Sequence, residues 1–230
     1  MPSFNKEMAT PLIDVFCDFD GTITKHDVVD LFLDAFAAPE WLEIEALWRN
    51  MKIGSKECLE RQIACVPPLS QKEMTEFLGD IEIDPHFLEF ARSFTKGRIT
   101  ILSDGFDFFI QSVLDRYDLR GIRHFSNRLV WRPGEAPRAE FPHFEPLCKT
   151  ASGTCKCKAA GEFAEGRGFL YVGDGQSDFC VSREADLVLA KGKLAHFCRD
   201  EGIPYSEFHT FQEVIQYFAE PLAAGTPHEK

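Results

Sequence analysis

The chain has 230 residues, of which 44% are hydrophobic and 27% charged, with 22 phenylalanines. That balance excludes whole-chain disorder and describes one generous folded domain, or one domain carrying an insertion. Set against 37 acidic residues, 25 scattered basic ones leave a net charge of −12, so no nucleic-acid partner is expected. No apolar run approaches the ~20 residues that span a bilayer, so no membrane partner is expected either. Without a basic stretch leading into an apolar segment, the 8 cysteines read as thiols or metal ligands, and the expected compartment is the cytoplasm.

In chain order, residues 12–17 form a short, mostly apolar run that ends at an Asp/Gly cluster, the pattern of a buried strand feeding a loop. From Val28 to Phe36 apolar residues recur at helical spacing, and further helices are expected over 40–48 and 55–65, with Ser55 as N-cap of the latter. Ser70 and Glu73 have the spacing of a capping box, which starts another helix. A strand is expected at 98–102, a helix at 108–117 and a short strand at 128–131. Residues 132–157, rich in Pro, Cys and charge, read as an irregular excursion. Strands at 169–172 and 187–190 follow, the latter being the last clear one, and the tail beyond Pro221 is expected to fray.

Strands alternating with helices after an all-helical insert call for an α/β fold: a Rossmann-like, mostly parallel sheet with helices on both faces. Residues 25–90 would form a small helical cap inserted after the first strand, leaving 1–24 and 91–230 as the core. In such sheets ligands sit beyond the carboxyl ends of the strands. Three of the expected strands end there in polar loops, bearing Asp18 and Asp20, Ser103 and Asp104, and Asp174 and Asp178. Each loop alone reads as a turn or an ordinary cap. Converging on one rim, the carboxylates can hold a hard divalent cation such as Mg²⁺ or attack phosphorus, and a hydroxyl beside free amides can cradle phosphate.

The three loops, in this order, resemble the haloacid dehalogenase-like phosphatase superfamily. Its first motif is matched by Asp18-Phe19-Asp20-Gly21-Thr22, its second by Ser103, and its fourth by Gly173-Asp174-Gly175-Gln176-Ser177-Asp178. For the Lys of its third motif Lys158 is the first choice, with Lys149 and Lys156 nearby. The helical insert is similar to that of the capped subgroup that includes phosphoserine phosphatases. Cys17 through Thr24, Pro39-Glu40-Trp41 and the stretch from Pro142-His143 to Gly153-Thr154-Cys155 resemble more closely the methionine-salvage branch of that subgroup.

The resemblance implies a Mg²⁺-dependent phosphomonoesterase for a small phosphorylated metabolite, with phosphoserine or a broader substrate range as the alternative. Asp18 would be the nucleophile and Asp20 the general acid and base. Asp18, Asp20 (through its carbonyl) and Asp174 would hold the metal, with Asp178 in support. Ser103, Asp104, Gly105 and Lys158 would bind the phosphoryl group. Asp27 and Arg61 are candidate substrate contacts, Arg61 being equally a solvated helix residue. Trp41, Trp48, Met51, Phe106 and Phe108 are candidates for an apolar pocket or for plain core. His143, Cys148, Cys155 and Cys157 read first as a loop histidine with reduced thiols; the alternative is a structural Zn²⁺ site.

Overall fold

The computed structural model describes residues 13–164 and 167–219; the expected fraying beyond Pro221 lies outside them. Among the described residues seven strands form one sheet: β1 (Ile13–Cys17), β2 (Gly97–Phe106), β3 (Arg123–Val130), β4 (Arg138–Glu140), β5 (Phe169–Gly173), β6 (Leu187–Ala190) and β7 (Tyr205–Glu207). Their order is β4-β3-β2-β1-β5-β6-β7, with every neighbouring pair parallel except β3 and β4. The helices are α1 (Val28–Phe36), α2 (Trp41–Arg49), α3 (Ser55–Ile63), α4 (Gln71–Asp80), α5 (Pro85–Ser93), α6 (Asp107–Arg116), α7 (Lys156–Ala164), α8 (Gly192–Glu201) and α9 (Phe211–Ala219). Among the described residues no helix is long and apolar enough to cross a membrane.

The central strands are apolar on both sides because both sides are covered, as parallel sheets require. Strand residues alternate between two cores. Val15, Cys17, Ile101, Val172 and Leu189 face one, and Phe16, Leu102, Tyr171, Val188 and Ala190 face the other. Strands are added on one side of β1 up to β3 and on its other side from β5 onward, so the crevice at the carboxyl ends of the parallel β1 and β5 is where a ligand site belongs.

Sequence patterning located the central strands and missed the edges. Strand β3 begins at Arg123, five residues before the expected start, because its first half is polar on the exposed side. The short edge strands β4 and β7 are polar and take their form from pairing with β3 and β6. Strand β2 runs on to Phe106 instead of stopping at Leu102, so Ser103 and Asp104 lie within it and α6 begins at Asp107. Gly54, not Ser55, caps α3, which frees the Ser55 hydroxyl for a contact described below. The capping box at Ser70 and Glu73 forms as expected.

The insert leaves and rejoins the sheet through a narrow neck, where Thr24 bridges Ile83 and the Lys25 amide donates to the Glu82 carbonyl at 3.0 Å. Helix α5 lies beyond that neck. It packs on α9 through Phe87–Phe211 and Phe94–Phe218, each with ring centroids 5.0 Å apart. Helix α5, which lies within the expected 25–90 insert, thus has a partner for its apolar face in α9.

The cap is anchored by aromatic packing. Phe32 on α1 is fully buried and touches Phe36, Phe77 on α4 and Phe109 on α6, with centroids 5.1–5.3 Å apart. Phe32→Ala should therefore cost about 3–5 kcal/mol of stability. Chemical denaturation monitored by circular dichroism checks this; a loss below about 1 kcal/mol would mean the cap folds without that cluster.

Candidate active site

The loop after β1 turns sharply at Gly21, which has φ +71°. A side chain there would be strained, and its Cβ would come within 2.9 Å of an Asp174 carboxylate oxygen. The Thr24 hydroxyl holds the turn closed by accepting from the Gly21 amide at 3.1 Å, and the Thr22 hydroxyl donates to Asp174 Oδ1 at 2.9 Å. The first and last acidic loops are thus tied directly to each other.

Asp18, Asp174 and Asp178 each offer an oxygen within 4.8 Å of the others. Asp178 is fully buried, and both its oxygens are occupied. Oδ1 accepts from the Tyr171 hydroxyl at 2.6 Å and from Lys156 Nζ at 2.7 Å. Oδ2 accepts from the Asp174 and Gly175 amides, both at 3.0 Å. Asp178 therefore shapes the loop that presents Asp174. Lys156 Nζ also donates to Asp18 Oδ1 at 2.7 Å and to Ser177 Oγ at 3.2 Å.

Burial opposes the Lys156 charge, but Asp178 and Asp18 outweigh it and hold the ammonium protonated. On Asp18, burial first and the Asp178 charge second push the carboxyl well above its usual range. Burial and Asp178 likewise raise Asp174, to about 6. One ammonium facing three carboxylates leaves the cluster short of two positive charges. A hard divalent cation fits that deficit and that all-oxygen donor set.

Asp20 lies across the floor. Its Oδ1 accepts from the Val28 amide at the start of α1 (3.0 Å) and its Oδ2 from the Ser103 hydroxyl (3.1 Å). Burial raises its carboxyl to about 6 despite these two bonds. Gly105 is required beside it, since a Cβ there would lie 2.1 Å from Asp20 Oδ2. The Gly105 amide donates to Ser103 Oγ at 2.9 Å.

Several expected residues lie elsewhere. Lys158 is on the outer side of α7, paired with Glu145 at 2.8 Å; Lys156 takes the position expected of it. Two residues along a helix turn a side chain by about 200°, so only one of the pair can face the sheet. The signal available in the sequence was Cys155, Ala159 and Ala160, whose small, apolar side chains mark the buried side of α7. Arg61 is exposed and bonds Glu57 one turn earlier at 3.2 Å, away from the cavity. The Asp104 carboxylate is fully engaged, accepting from Ser55 Oγ in the cap, from Asn127 Nδ2 at 3.2 Å and from the Thr154 amide at 2.8 Å. It ties the cap to the floor, and Asp104 also lines the cavity described below.

The four residues considered for Zn²⁺ do not gather. Cys148 contacts Cys155, Cys157 contacts Cys180, and the His143 ring packs edge-on against Phe125 at 5.3 Å. Among the described residues only the Asp18, Asp174 and Asp178 group has metal-ligand spacing.

Above the floor is a cavity of about 340 Å³. Its floor is Asp18, Asp20, Gly105 and Asp174, and its roof comes from the cap: Asp27, Asp30, Glu45, Trp48, Arg49 and Leu59. Asp27 does face this cavity, and it also caps α1 by accepting from the Asp30 amide at 3.0 Å. Of the candidate pocket aromatics only Trp48 lines it; Trp41 and Phe106 are core, Phe108 packs on Trp131, and Met51 is exposed. Glu45 and Arg49, one helical turn apart on α2, also line it, and nothing in their sequence setting singled them out.

Residues 15–183 match the model of the haloacid dehalogenase-like hydrolase family. The chain is 32% identical over 208 residues to a 2-hydroxy-3-keto-5-methylthiopentenyl-1-phosphate phosphatase of Exiguobacterium sp., covering 88% of this chain and 95% of that protein. A protein of the same description from Geobacillus kaustophilus is 32% identical over 212 residues, covering 90% and 95%. Among solved structures, a phospho-aspartyl intermediate analogue of phosphoserine phosphatase has a similar fold, with a TM-score of 0.68, 17% identity, and coverage of 90% of this chain and 99% of that one. A HAD family hydrolase from Salmonella enterica serovar Typhi superposes with a TM-score of 0.69 at 18% identity, covering 91% and 72%.

Replacing Lys156 by Met would leave the buried Asp18 and Asp178 without their cation. A stability loss of about 3–5 kcal/mol in metal-free buffer is expected, read from the denaturation midpoint. Lys158→Met should leave that midpoint where it is. Equal behaviour of the two variants would contradict the placement of Lys156.

Proposed function

Because this chain belongs to the haloacid dehalogenase-like hydrolase family, we propose that it is a Mg²⁺-dependent phosphatase of a small phosphorylated metabolite, working through an aspartyl-phosphate. The observation that carries this is the meeting of Asp18, Asp20 and Asp174 at the floor of a single cavity, with Ser103 of β2 bonded to Asp20 and Lys156 of α7 bonded to Asp18 behind that floor. Asp18 and Asp174, with the backbone carbonyl of Asp20 and with Asp178 behind, would hold the ion. When bound, Mg²⁺ supplies positive charge that offsets the repulsion between a phosphate dianion and a carboxylate.

The chain's own groups do the rest. An Asp18 oxygen attacks phosphorus, forming the O–P bond as the bond to the ester oxygen breaks. Asp20 gives its proton to that leaving oxygen. Water then attacks the same phosphorus, Asp20 takes the water's proton, and Asp18 is released with inorganic phosphate. A carboxyl raised to about 6 suits both duties, since both protonation states are available near neutrality. Lys156 Nζ and the Ser103 hydroxyl orient the phosphoryl oxygens, and the cap keeps bulk water from the leaving group.

For the substrate, the similarity to the salvage phosphatases over nearly their whole length supports 2-hydroxy-3-keto-5-methylthiopentenyl-1-phosphate. Phosphoserine is the second reading, favoured by Asp27 at the cavity wall and by the fold neighbours. The cysteine content supports a cytoplasmic setting for this activity.

Phosphate release from p-nitrophenyl phosphate and from an alkyl phosphate, with Mg²⁺ and with EDTA, tests the proposal. Asp18→Asn should lower kcat by about 10³-fold or more, and EDTA should abolish turnover reversibly. Asp20→Asn should slow the alkyl ester far more than the aryl ester, whose leaving group needs no proton. Full turnover by Asp18→Asn would defeat the mechanism.

A further inference from the structure

The segment between β4 and α7 brings together two thiols that the acidic site does not use. Cys148 is half-buried and Cys155, the residue before Lys156, is buried; their side chains are in contact. Between them the chain doubles back through Ala151, whose φ is +45°. Cys148 Sγ lies 3.3 Å from the Thr150 hydroxyl, which lies 2.8 Å from that of Ser152. Burial by itself would raise the Cys148 thiol. Bonds from the Thr150 hydroxyl, the Ser152 and Thr150 amides and the Cys155 thiol outweigh it and hold the group below its ordinary value. Burial raises Cys17, Cys58, Cys65, Cys155 and Cys198 instead. Cys157 is raised by burial and then by its contact with Cys180. A reachable thiol that ionises readily, with a second thiol against it, is the arrangement that peroxides oxidise selectively.

We propose that Cys148 and Cys155 form a peroxide-sensitive pair whose disulfide lowers turnover at the neighbouring acidic site. The Cys148 thiolate attacks a peroxide oxygen: the S–O bond forms, the O–O bond breaks, and the departing hydroxide takes a proton to become water. Cys155 sulfur then attacks the Cys148 sulfenic acid. The S–S bond forms as the S–O bond breaks, and the Cys155 proton leaves with that hydroxide as a second water. Two electrons have passed from the sulfurs to the peroxide. Such a bridge is transient in a reducing compartment, as a regulatory one must be.

The contents of the ring that closes over residues 148–155 explain the effect. An S–S bond is about 2.05 Å long, far shorter than a contact between thiols, so Cys155 must shift. Its carbonyl accepts from the Ala159 amide at 3.0 Å, which makes it part of the first turn of α7, and Lys156 shifts with it. Lys156 Nζ is bonded to Asp18 and Asp178 at 2.7 Å and to Ser177 at 3.2 Å, a fit with little slack. The ring also includes two ties to the rest of the site. The Ala151 carbonyl accepts from the Lys56 amide of α3 at 3.1 Å, and the Thr154 amide donates to Asp104 at 2.8 Å. The loss of turnover rests on the phosphatase reading above; the bridge itself does not.

The test uses the reduced, Mg²⁺-loaded full chain treated with hydrogen peroxide. Peptide mapping by mass spectrometry should find a Cys148–Cys155 bridge. Turnover of p-nitrophenyl phosphate should fall about tenfold or more, the scale expected when a group orienting the phosphoryl oxygens is misplaced. Dithiothreitol should restore it. Cys148→Ser should match the reduced chain before treatment and keep its turnover afterwards. Cys155→Ala has no second thiol to resolve the sulfenic acid, so dimedone should label its Cys148. Absence of the bridge, or one mapped elsewhere, Cys157–Cys180 included, would overturn the assignment. A Cys148–Cys155 bridge with undiminished turnover would overturn its regulatory role. Failure of the reduced chain to hydrolyse any ester would overturn the phosphatase reading and the effect on turnover with it, while the peptide map still decides the thiol pair.

Discussion

Three carboxylates share one small buried volume with a single ammonium group, and much of the local architecture answers to that electrostatic imbalance. Asp178 is surrounded by donors on both oxygens, which makes its charge tolerable and leaves it unable to move. Lys156 is 3% exposed, a position a lysine occupies only when carboxylates hold it there. The remaining deficit on Asp18 and Asp174 cannot be met by the chain's own groups within the cluster. A site left short of cationic charge in this way fits a divalent ion.

The same constraint explains why small residues are needed around the acids. Gly21, Gly105 and Gly173 each stand where a Cβ would strike a carboxylate oxygen of Asp174, Asp20 or Asp178. Backbone passes so close to these acids that their oxygens can take amide hydrogens directly, a rigid form of stabilisation that needs no side-chain ordering. Catalytic precision then follows from the sheet, since Asp18 and Asp174 are carried by adjacent strands β1 and β5 in fixed register.

The cap contributes a second layer, linked to the first through Asp104. That carboxylate joins Ser55 of the cap to Asn127 of β3 and to the Thr154 amide, two residues before Lys156. Cap position, the strand bearing Ser103 and the loop leading into the lysine helix are thereby coupled through one buried group. The cap and the acidic floor are opposite walls of one cavity, and Asp104 is the point at which those walls meet.

The central strands, the all-helical insert and the acidic loops were legible in the residues because each is a local pattern: an apolar run, a helical period, an Asp-Gly turn. Asp18, Asp20, Ser103 and Asp174 were found for the same reason, each following or ending such a run. Lys156 was not separable from Lys158 by local pattern, since adjacent lysines differ only in which side of α7 meets the sheet. Arg61 was the candidate substrate contact, yet packing of the helices brought Arg49 and not Arg61 to the cavity. By itself, then, the sequence determined the element types, the parallel sheet and the identity of the acids. Tertiary structure alone decided which lysine faces them, that α5 packs on α9 and which cap residues line the cavity, because rotation of a helix about its axis and the partner of its apolar face are set by packing between segments far apart in the chain.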